Sequence, residues 1–454
     1  MGAVGSLMPF GIVSEYLASL GTCRLRPSDL RRLQAKRLKR QVAFAYERIP
    51  YYHSVMRARG LYPNDFADLD DLYRLPVLTR EIIVSNQPGG LLARGVRIAD
   101  TRRTSGTTGS PIALYRGPVT DRRVIALRLR RMLVTGVRFW EKEVELPYWG
   151  SDVRGQSAMS SPKAGSLLTN IPHMIAKPKD LVAGYRVLPL SPTNLPVVSK
   201  MIVNYGPSIL RSRPSYLRRL ARTIEALDPT FGVKTIFVGG EVLSDTVRND
   251  LEASYHAKVF DEYGSAEFSG LGSECEFHAG IHLNSDYFVF ELRAKDGEPA
   301  AEGERGEVIV TSLMDDAMPL IRYRIGDYAI KGSDEPCHCG YSLPRLQKVE
   351  GRVSDGLIAA DGDYVPPGMI VDFLETKIGM RDFQLVQETG DEVLVRVQTP
   401  LSAEKQRMLL DYLSGLLRRQ VLLRTELWRE DEIPLKFRAV LRSPSPVSLA
   451  KQGR

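Results

Sequence analysis

Two strand-and-turn units set close together constrain this chain more than any other feature. In "VKTIFVGGEVLSDTVRNDLEASYHAKVFDEYGSAEF", residues 233–268, a short apolar run ends in the polar turn Gly239, Gly240 and Glu241. A helix capped by Ser244 follows, and a second apolar run ends in another polar turn at Gly264. Strands joined through a helix pair in parallel, so the spacing predicts a largely parallel α/β sheet. In such sheets ligands gather at the carboxyl ends of strands, where both turns fall.

A second polar loop lies upstream. "TRRTSGTTGSP", residues 101–111, packs four hydroxyls and two glycines between Thr104 and Gly109. Gly106 and Gly109 let backbone amides approach an anion, while Ser105, Thr107 and Thr108 offer hydroxyl donors. Composition alone fits either a flexible linker or a phosphate cradle. It is not a Walker loop: no Gly-Lys-Ser/Thr follows, and "PIALYR" has the β-branched and aromatic character of a strand. The stretch therefore reads as a strand-to-strand loop. Residues 27–60 read as a helix ending in "ERIPYYHSVM", where Pro50 biases the residue before it away from helix, and a further helix is capped at Thr79. Leu217, Leu220, Ile224 and Leu227, at spacings of three and four, form one face of another.

The sequence changes character after "EGRVSDG". Residues 382–398 read as a hairpin around Gly390-Asp391, and residues 403–419 as an amphipathic helix with Leu409, Leu413, Leu416 and Leu417 on one side. A last strand follows Pro434. A chain of 454 residues is too long for one small core. The expected division is a large α/β domain, 1–350, with parallel-rich sheets, and a small, mobile α+β domain, 351–454.

Composition excludes several classes. With 43% hydrophobic and 26% charged residues the chain is an ordinary folded protein. No run of 18 apolar residues offers a transmembrane helix, and the apolar start lacks a basic lead and carries a glutamate, unlike a secretory signal. The net charge of +8 includes an early arginine-rich run, but its interleaved leucines fit a helix with a solvated basic face. No basic platform interleaved with aromatics points to nucleic acid. Four cysteines are too few for a disulfide scaffold, so a reducing, cytoplasmic setting is expected.

Four motifs stand in order: "TSGTTGSP", "DEYGSAE" at 261–267, "YRIGDYA" at 323–329 and "EGRVSD" at 350–355. Together they resemble the adenylate-forming superfamily of acyl-CoA synthetases. "AYERIPYY", "LPVLTREII" and "CHCGYSLPRL" resemble its phenylacetate-CoA ligase branch and the capsular-polysaccharide-biosynthesis proteins related to it. The resemblance implies an enzyme that joins a carboxylic acid to ATP, releases pyrophosphate, and passes the acyl group from acyl-AMP to a nucleophile such as the thiol of CoA. It implies that Thr104, Ser105, Gly106, Thr107, Thr108 and Gly109 hold the outer phosphates. Glu267 would ligate Mg²⁺, for which a hard oxygen is suited. Tyr263, Gly264 and Ser265 would border the nucleotide and acyl sites, Gly239, Gly240 and Glu241 the adenine edge. Asp327 would accept the ribose hydroxyls and Arg352 would contact the ribose at the hinge. Lys436, with Lys451 as the alternative, would supply the catalytic cation near the α-phosphate.

The chain also departs from the family pattern. Ser354 stands where the hinge aspartate is usual, with Asp355 next, and the usual basic residue after the glycine-hydroxyl loop is absent. "LIAADGDYVPPGMI", with Gly362, Pro366 and Pro367, resembles the capsular-biosynthesis relatives more than CoA ligases. Acceptors other than CoA therefore stay open: acyl transfer to an amine or hydroxyl, or adenylylation as the end product. So does a nucleotide-binding scaffold without catalysis, and so does a homodimer. The carboxylic acid itself is unnamed.

Three of the four cysteines and half of the histidines fall in two clusters, Cys275, His278 and His282, then Cys337, His338 and Cys339. They can supply four N/S ligands for a tetrahedral, structural Zn²⁺. "GIHLNSDY" resembles a segment shared in the family, which favours Cys275, His282, Cys337 and Cys339, with His278 as the rival ligand.

Overall fold

The structure, a computed structural model, describes residues 7–87, 89–104, 112–138, 140–146, 186–187, 195–429 and 438–443. Four helices open it: α1 (Leu7–Thr22), α2 (Pro27–Arg48), α3 (Pro50–Ala58) and α4 (Arg80–Ser85). Pro50 divides α2 from α3, because the residue before a proline is pushed out of the helical region; Ile49 sits at φ −116°, ψ 114°. Thr79 caps α4 by accepting the Ile82 N–H at 3.4 Å.

An antiparallel pair, β1 (Asp100–Arg103) and β2 (Ala113–Arg116), flanks the glycine-hydroxyl loop, as expected for a strand-to-strand connection. Alternating elements follow: α5 (Pro118–Val134), β3 (Glu143–Glu145), β4 (Arg186–Val187), α6 (Leu195–Tyr205), β5 (Ile209–Ser212), α7 (Pro214–Leu227), β6 (Thr235–Gly239), α8 (Asp245–Tyr255) and β7 (Lys258–Ser265). Then come β8 (Ser269–Ser273), β9 (Ile281–Leu283), β10 (Phe288–Arg293), β11 (Arg305–Ser312), β12 (Tyr323–Lys331) and β13 (Arg345–Arg352), with no helix between them.

Among the described residues these strands form one sheet of eleven, ordered β10-β11-β12-β13-β9-β8-β7-β6-β5-β3-β4. The segment β7-β6-β5-β3-β4 is parallel, as the strand-helix alternation predicts. From β8 onward pairing is antiparallel, so the sheet is mixed rather than largely parallel. The reason is length. Only residues 266–268 separate β7 from β8, whereas a parallel return needs a dozen or more.

Helices α2 and α3 cover the antiparallel part through Leu38, Val42, Ala45, Tyr52 and Met56, while α6, α7 and α8 cover the parallel part through Ile202, Leu217, Leu220 and Leu251. A separate core begins at Leu357. It joins β14 (Leu357–Ile358), β15 (Tyr364–Val365) and α9 (Pro367–Thr376) to β16 (Phe383–Gln387), β17 (Glu392–Val397), α10 (Ala403–Leu417), β18 (Leu422–Leu427) and β19 (Val440–Arg442). Its four-stranded sheet runs β18-β17-β16-β19. Leu409, Leu413 and Leu417 of α10 are fully buried there.

Candidate active site

The strand pair β1-β2 closes the neck of the glycine-hydroxyl loop. Thr104 N–H donates to the Ile112 carbonyl at 3.0 Å, and Ile112 N–H returns a bond to Thr104 Oγ1 at 3.0 Å. Arg80, the first residue of α4, brings a guanidinium to Thr104 Oγ1 at 3.2 Å. Ser105, Gly106, Thr107, Thr108 and Gly109 lie outside the described residues.

Glu267 sits in the tight turn between β7 and β8, where its Oε1 accepts from Tyr323 Oη at 3.3 Å. Ser265 serves that turn, its Oγ accepting the Phe268 N–H at 3.3 Å. Tyr263 Oη on β7 donates to Asp327 Oδ2 on β12 at 3.1 Å, and Arg352 Nε on β13 stands 3.7 Å from Asp327 Oδ1. Register explains the second contact: Asp327 on β12 is paired directly with Arg352 on β13. Gly326, at φ 81°, adopts a backbone conformation that only glycine takes without strain, just before Asp327.

Burial shapes the electrostatics. Desolvation raises the Asp327 carboxyl to about 6, against the opposing pull of Arg352 and the Tyr263 hydrogen bond. Desolvation and the neighbouring carboxylates also push the Tyr263 and Tyr323 hydroxyls far up, so both remain proton donors. Glu267 acts on both Asp327 and Arg352, which puts the three charged groups in one electrostatic field.

The turn Gly239, Gly240 and Glu241 closes β6, with Gly240 at φ 78°. Glu241's carboxylate is taken up by the fold: it accepts from Ser215 N–H at 3.1 Å and Ser215 Oγ at 2.9 Å, at the start of α7. A carboxylate there favours the positive end of the helix dipole.

Cys275, His282, Cys337 and Cys339 converge, their ligand atoms all within 4.8 Å of one another. Cys275 Sγ and Cys337 Sγ are 3.8 Å apart, and Cys339 Sγ is 3.5 Å from His282 Nε2. Two sulfurs each about 2.3 Å from a tetrahedral zinc lie about 3.8 Å apart, so the donor set fits that ion. All four cysteines are free thiols. His278 points elsewhere, with Nδ1 at 3.3 Å from Glu274 and at 3.2 Å from Arg248, and its ring stacks on Phe260. The favoured histidine is thus at the cluster and the rival is not. Lys436 and Lys451 lie outside the described residues.

Three side chains at the site were not singled out from sequence: Arg80, Arg116 and Tyr323. Tyr323 could have been found, since it opens the same "YRIGDYA" motif that carries Asp327. Arg80 and Arg116 carry no local signal, because their partners are 24 and 153 residues away.

No family profile matches the chain. Among known proteins it is 28% identical over 380 residues to phenylacetate-coenzyme A ligase of Thermus thermophilus, covering 81% of each chain. It is 28% identical over 356 residues to the Escherichia coli protein of that name, covering 74% of each. Protein CapK of Staphylococcus aureus is 24% identical over 221 residues, covering 48% of this chain and 47% of that one. Among solved structures, 2-hydroxyisobutyryl-CoA ligase in the postadenylation state superposes with a TM-score of 0.74 at 20% identity, over 94% of this chain and 93% of that one. The amide bond synthetase McbA from Marinactinospora thermotolerans superposes at 0.51 and 16% identity, over 93% of each. The chain is thus a homologue of phenylacetate-CoA ligases, and its fold is that of the adenylate-forming ligases.

Proposed function

We propose that this homologue of the phenylacetate-CoA ligases is an ATP-dependent, AMP-forming ligase that activates a carboxylic acid as its acyl-adenylate and passes the acyl group to CoA. The observation that carries the reading is the convergence of Glu267, Tyr323, Tyr263, Asp327 and Arg352 beside the neck of the glycine-hydroxyl loop. Attack of a carboxylate on the α-phosphate builds negative charge and expels pyrophosphate, so the site needs donors and cations more than acid-base groups. Glu267 is free to ligate Mg²⁺ through the oxygen that Tyr323 leaves open, and the ion would neutralise phosphate charge. Asp327 accepts the ribose hydroxyls, held by Tyr263 from one side and drawn toward Arg352 on the other. The loop 104–109 grips the outer phosphates, and Lys436 supplies the cation at the α-phosphate.

We further propose that residues 1–350 and 351–454 are separate domains hinged near Arg352–Asp355, and that the Cys275, His282, Cys337 and Cys339 cluster holds a structural Zn²⁺. Four protein ligands leave no open position for catalysis. Fold similarity to an amide bond synthetase keeps an amine acceptor as the second reading for the transfer step. A screen of carboxylic acids for ATP–pyrophosphate exchange, then for AMP release with CoA or with amines, tests both steps. Thioester formation supports CoA, whereas an amide product formed without CoA selects the second reading. Lys436→Ala is expected to lower exchange by about 10²–10³-fold while ATP still binds; full activity would remove that lysine from the mechanism.

A further inference from the structure

We propose that Arg116 is a positioning residue that clamps the Glu267 turn to the neck of the phosphate loop, so that the metal ligand is aimed from the strand that leaves the loop. The inference rests on the reading of Glu267 as a magnesium ligand given above.

The turn that carries Glu267 is short and strained. Ser265 and Ser269 pair directly across it, with only three residues between them. Ser269 lies at φ 66°, in the left-handed region that a non-glycine residue takes at a cost. A Cβ at Gly264 would meet the Ser269 carbonyl oxygen at 2.3 Å, so the two strands cross with no room for a side chain there. A turn of this kind holds a carboxylate in one place only if its surroundings fix it.

Arg116 does so from both sides. Its Nη2 donates to Ser269 Oγ and reaches the Ala266 carbonyl at 3.5 Å, acceptors that flank Glu267 in the chain. The side chain is 3% exposed, and its Nη1 is buried without a hydrogen-bond partner among the described residues. Desolvation lowers its pKa to about 9, which leaves it cationic at neutral pH. Burying a cation against neutral acceptors costs several kcal/mol, and an aliphatic residue would fill the same space without that cost. Two directed N–H bonds are what only the guanidinium supplies.

The other end of the clamp is rigid. Arg116 is the last residue of β2, and Ala113 at the start of β2 is bonded in both directions to Gln87, at 2.6 and 3.1 Å. The Thr104–Ile112 bonds close the same strand pair around the loop. Loop neck and carboxylate turn are therefore parts of one fixed frame, with Tyr323 Oη on β12 bonded to Glu267 Oε1.

Outer partners of metal ligands are worth about 10–100-fold in metal affinity or activity. The test is Mn²⁺ binding to the whole protein with α,β-methylene ATP, read by electron paramagnetic resonance. For Arg116→Met the Mn²⁺ Kd is expected to rise about 10-fold or more, while binding of the analogue without metal is unchanged. Arg116→Lys should fall between, and Glu267→Gln should hide the effect of Arg116→Met. Ser269→Gly, which removes the acceptor and relieves the strained φ, provides the same test from the other end should Arg116→Met not fold. An unchanged Mn²⁺ Kd in both Arg116→Met and Ser269→Gly overturns the proposal. So does an equal loss of metal-free nucleotide binding, which would make Arg116 a direct phosphate contact. If the wild-type protein instead supports no carboxylate-dependent exchange, the reading of the site itself has failed.

Discussion

Asp327 carries a tension between stability and binding that can be measured. Its carboxyl is raised to about 6 by burial, so the folded protein binds this proton more tightly than the unfolded chain does. Its ionisation therefore costs stability as pH rises from the ordinary carboxylate range through about 6. On the proposed role of Asp327 as the ribose acceptor, binding runs the other way, because a carboxylate accepts two hydroxyls better than a protonated acid. The KM for ATP is expected to rise as pH falls through about 6, with kcat changing less. Asp327→Asn should flatten that profile, weaken ATP binding, and raise the melting temperature of the free protein at neutral pH. A steeper pH dependence in the variant would contradict the assignment. The residue types at this site were legible in the sequence, since Glu267, Tyr263, Asp327 and Arg352 fall in motifs with fixed spacing. The bonds among them were not, because Tyr323 meets Glu267 from a strand 56 residues on.

At the scale of elements, the Cys275, His282, Cys337 and Cys339 cluster shows how spacing and topology divide the information. Cys337 and Cys339 share a tight turn in which Gly340 N–H bonds the Cys337 carbonyl at 2.9 Å, and that pairing is visible in sequence. The choice between His278 and His282 depends on β9, which pairs His282 with Arg345 of β13 and so brings it to the second cluster. Purified protein is expected to hold about one zinc per chain by elemental analysis. Cys337→Ser with Cys339→Ser should lose the metal and unfold at lower temperature; a protein without zinc but of full stability would rule out the structural Zn²⁺ site. Helix α5 makes a different point. Its Arg123, 1% exposed, pairs with Asp315 at 2.6 Å, and Arg130, 2% exposed, pairs with Asp286. Such arginines read as surface in the sequence, because periodicity sees the charge and not partners 192 and 156 residues away. Arg123→Met strands the Asp315 carboxylate, and the expected cost is about 3–5 kcal/mol by denaturant unfolding. A cost below about 1 kcal/mol would mean that Thr120 Oγ1, which also donates to the Asp315 carboxylate, suffices.

For the whole molecule, the alternation of strands and helices to residue 265 foretold the parallel part of the sheet, but not that β7 would turn straight back. The short turn at 266–268 made the sheet mixed and set Glu267 at its apex, so the same departure from the expected pattern builds the candidate site. The separate core after Leu357 docks on the large sheet's helices through charge: Arg218 of α7 meets Glu375 of α9 at 3.3 Å, Ser244 Oγ donates to the same carboxylate, and Arg381 meets Asp250 of α8 at 2.9 Å. Polar contacts of this kind suit surfaces that part and rejoin, as the proposed hinge near Arg352–Asp355 requires. The central claim is adenylate formation, and exchange of labelled pyrophosphate into ATP, with CoA withheld, measures it directly. The account predicts Mg²⁺-dependent exchange that appears only when a suitable carboxylic acid is added and is lost in Glu267→Gln. ATP binding without exchange for any acid in a broad aromatic and aliphatic panel would contradict it.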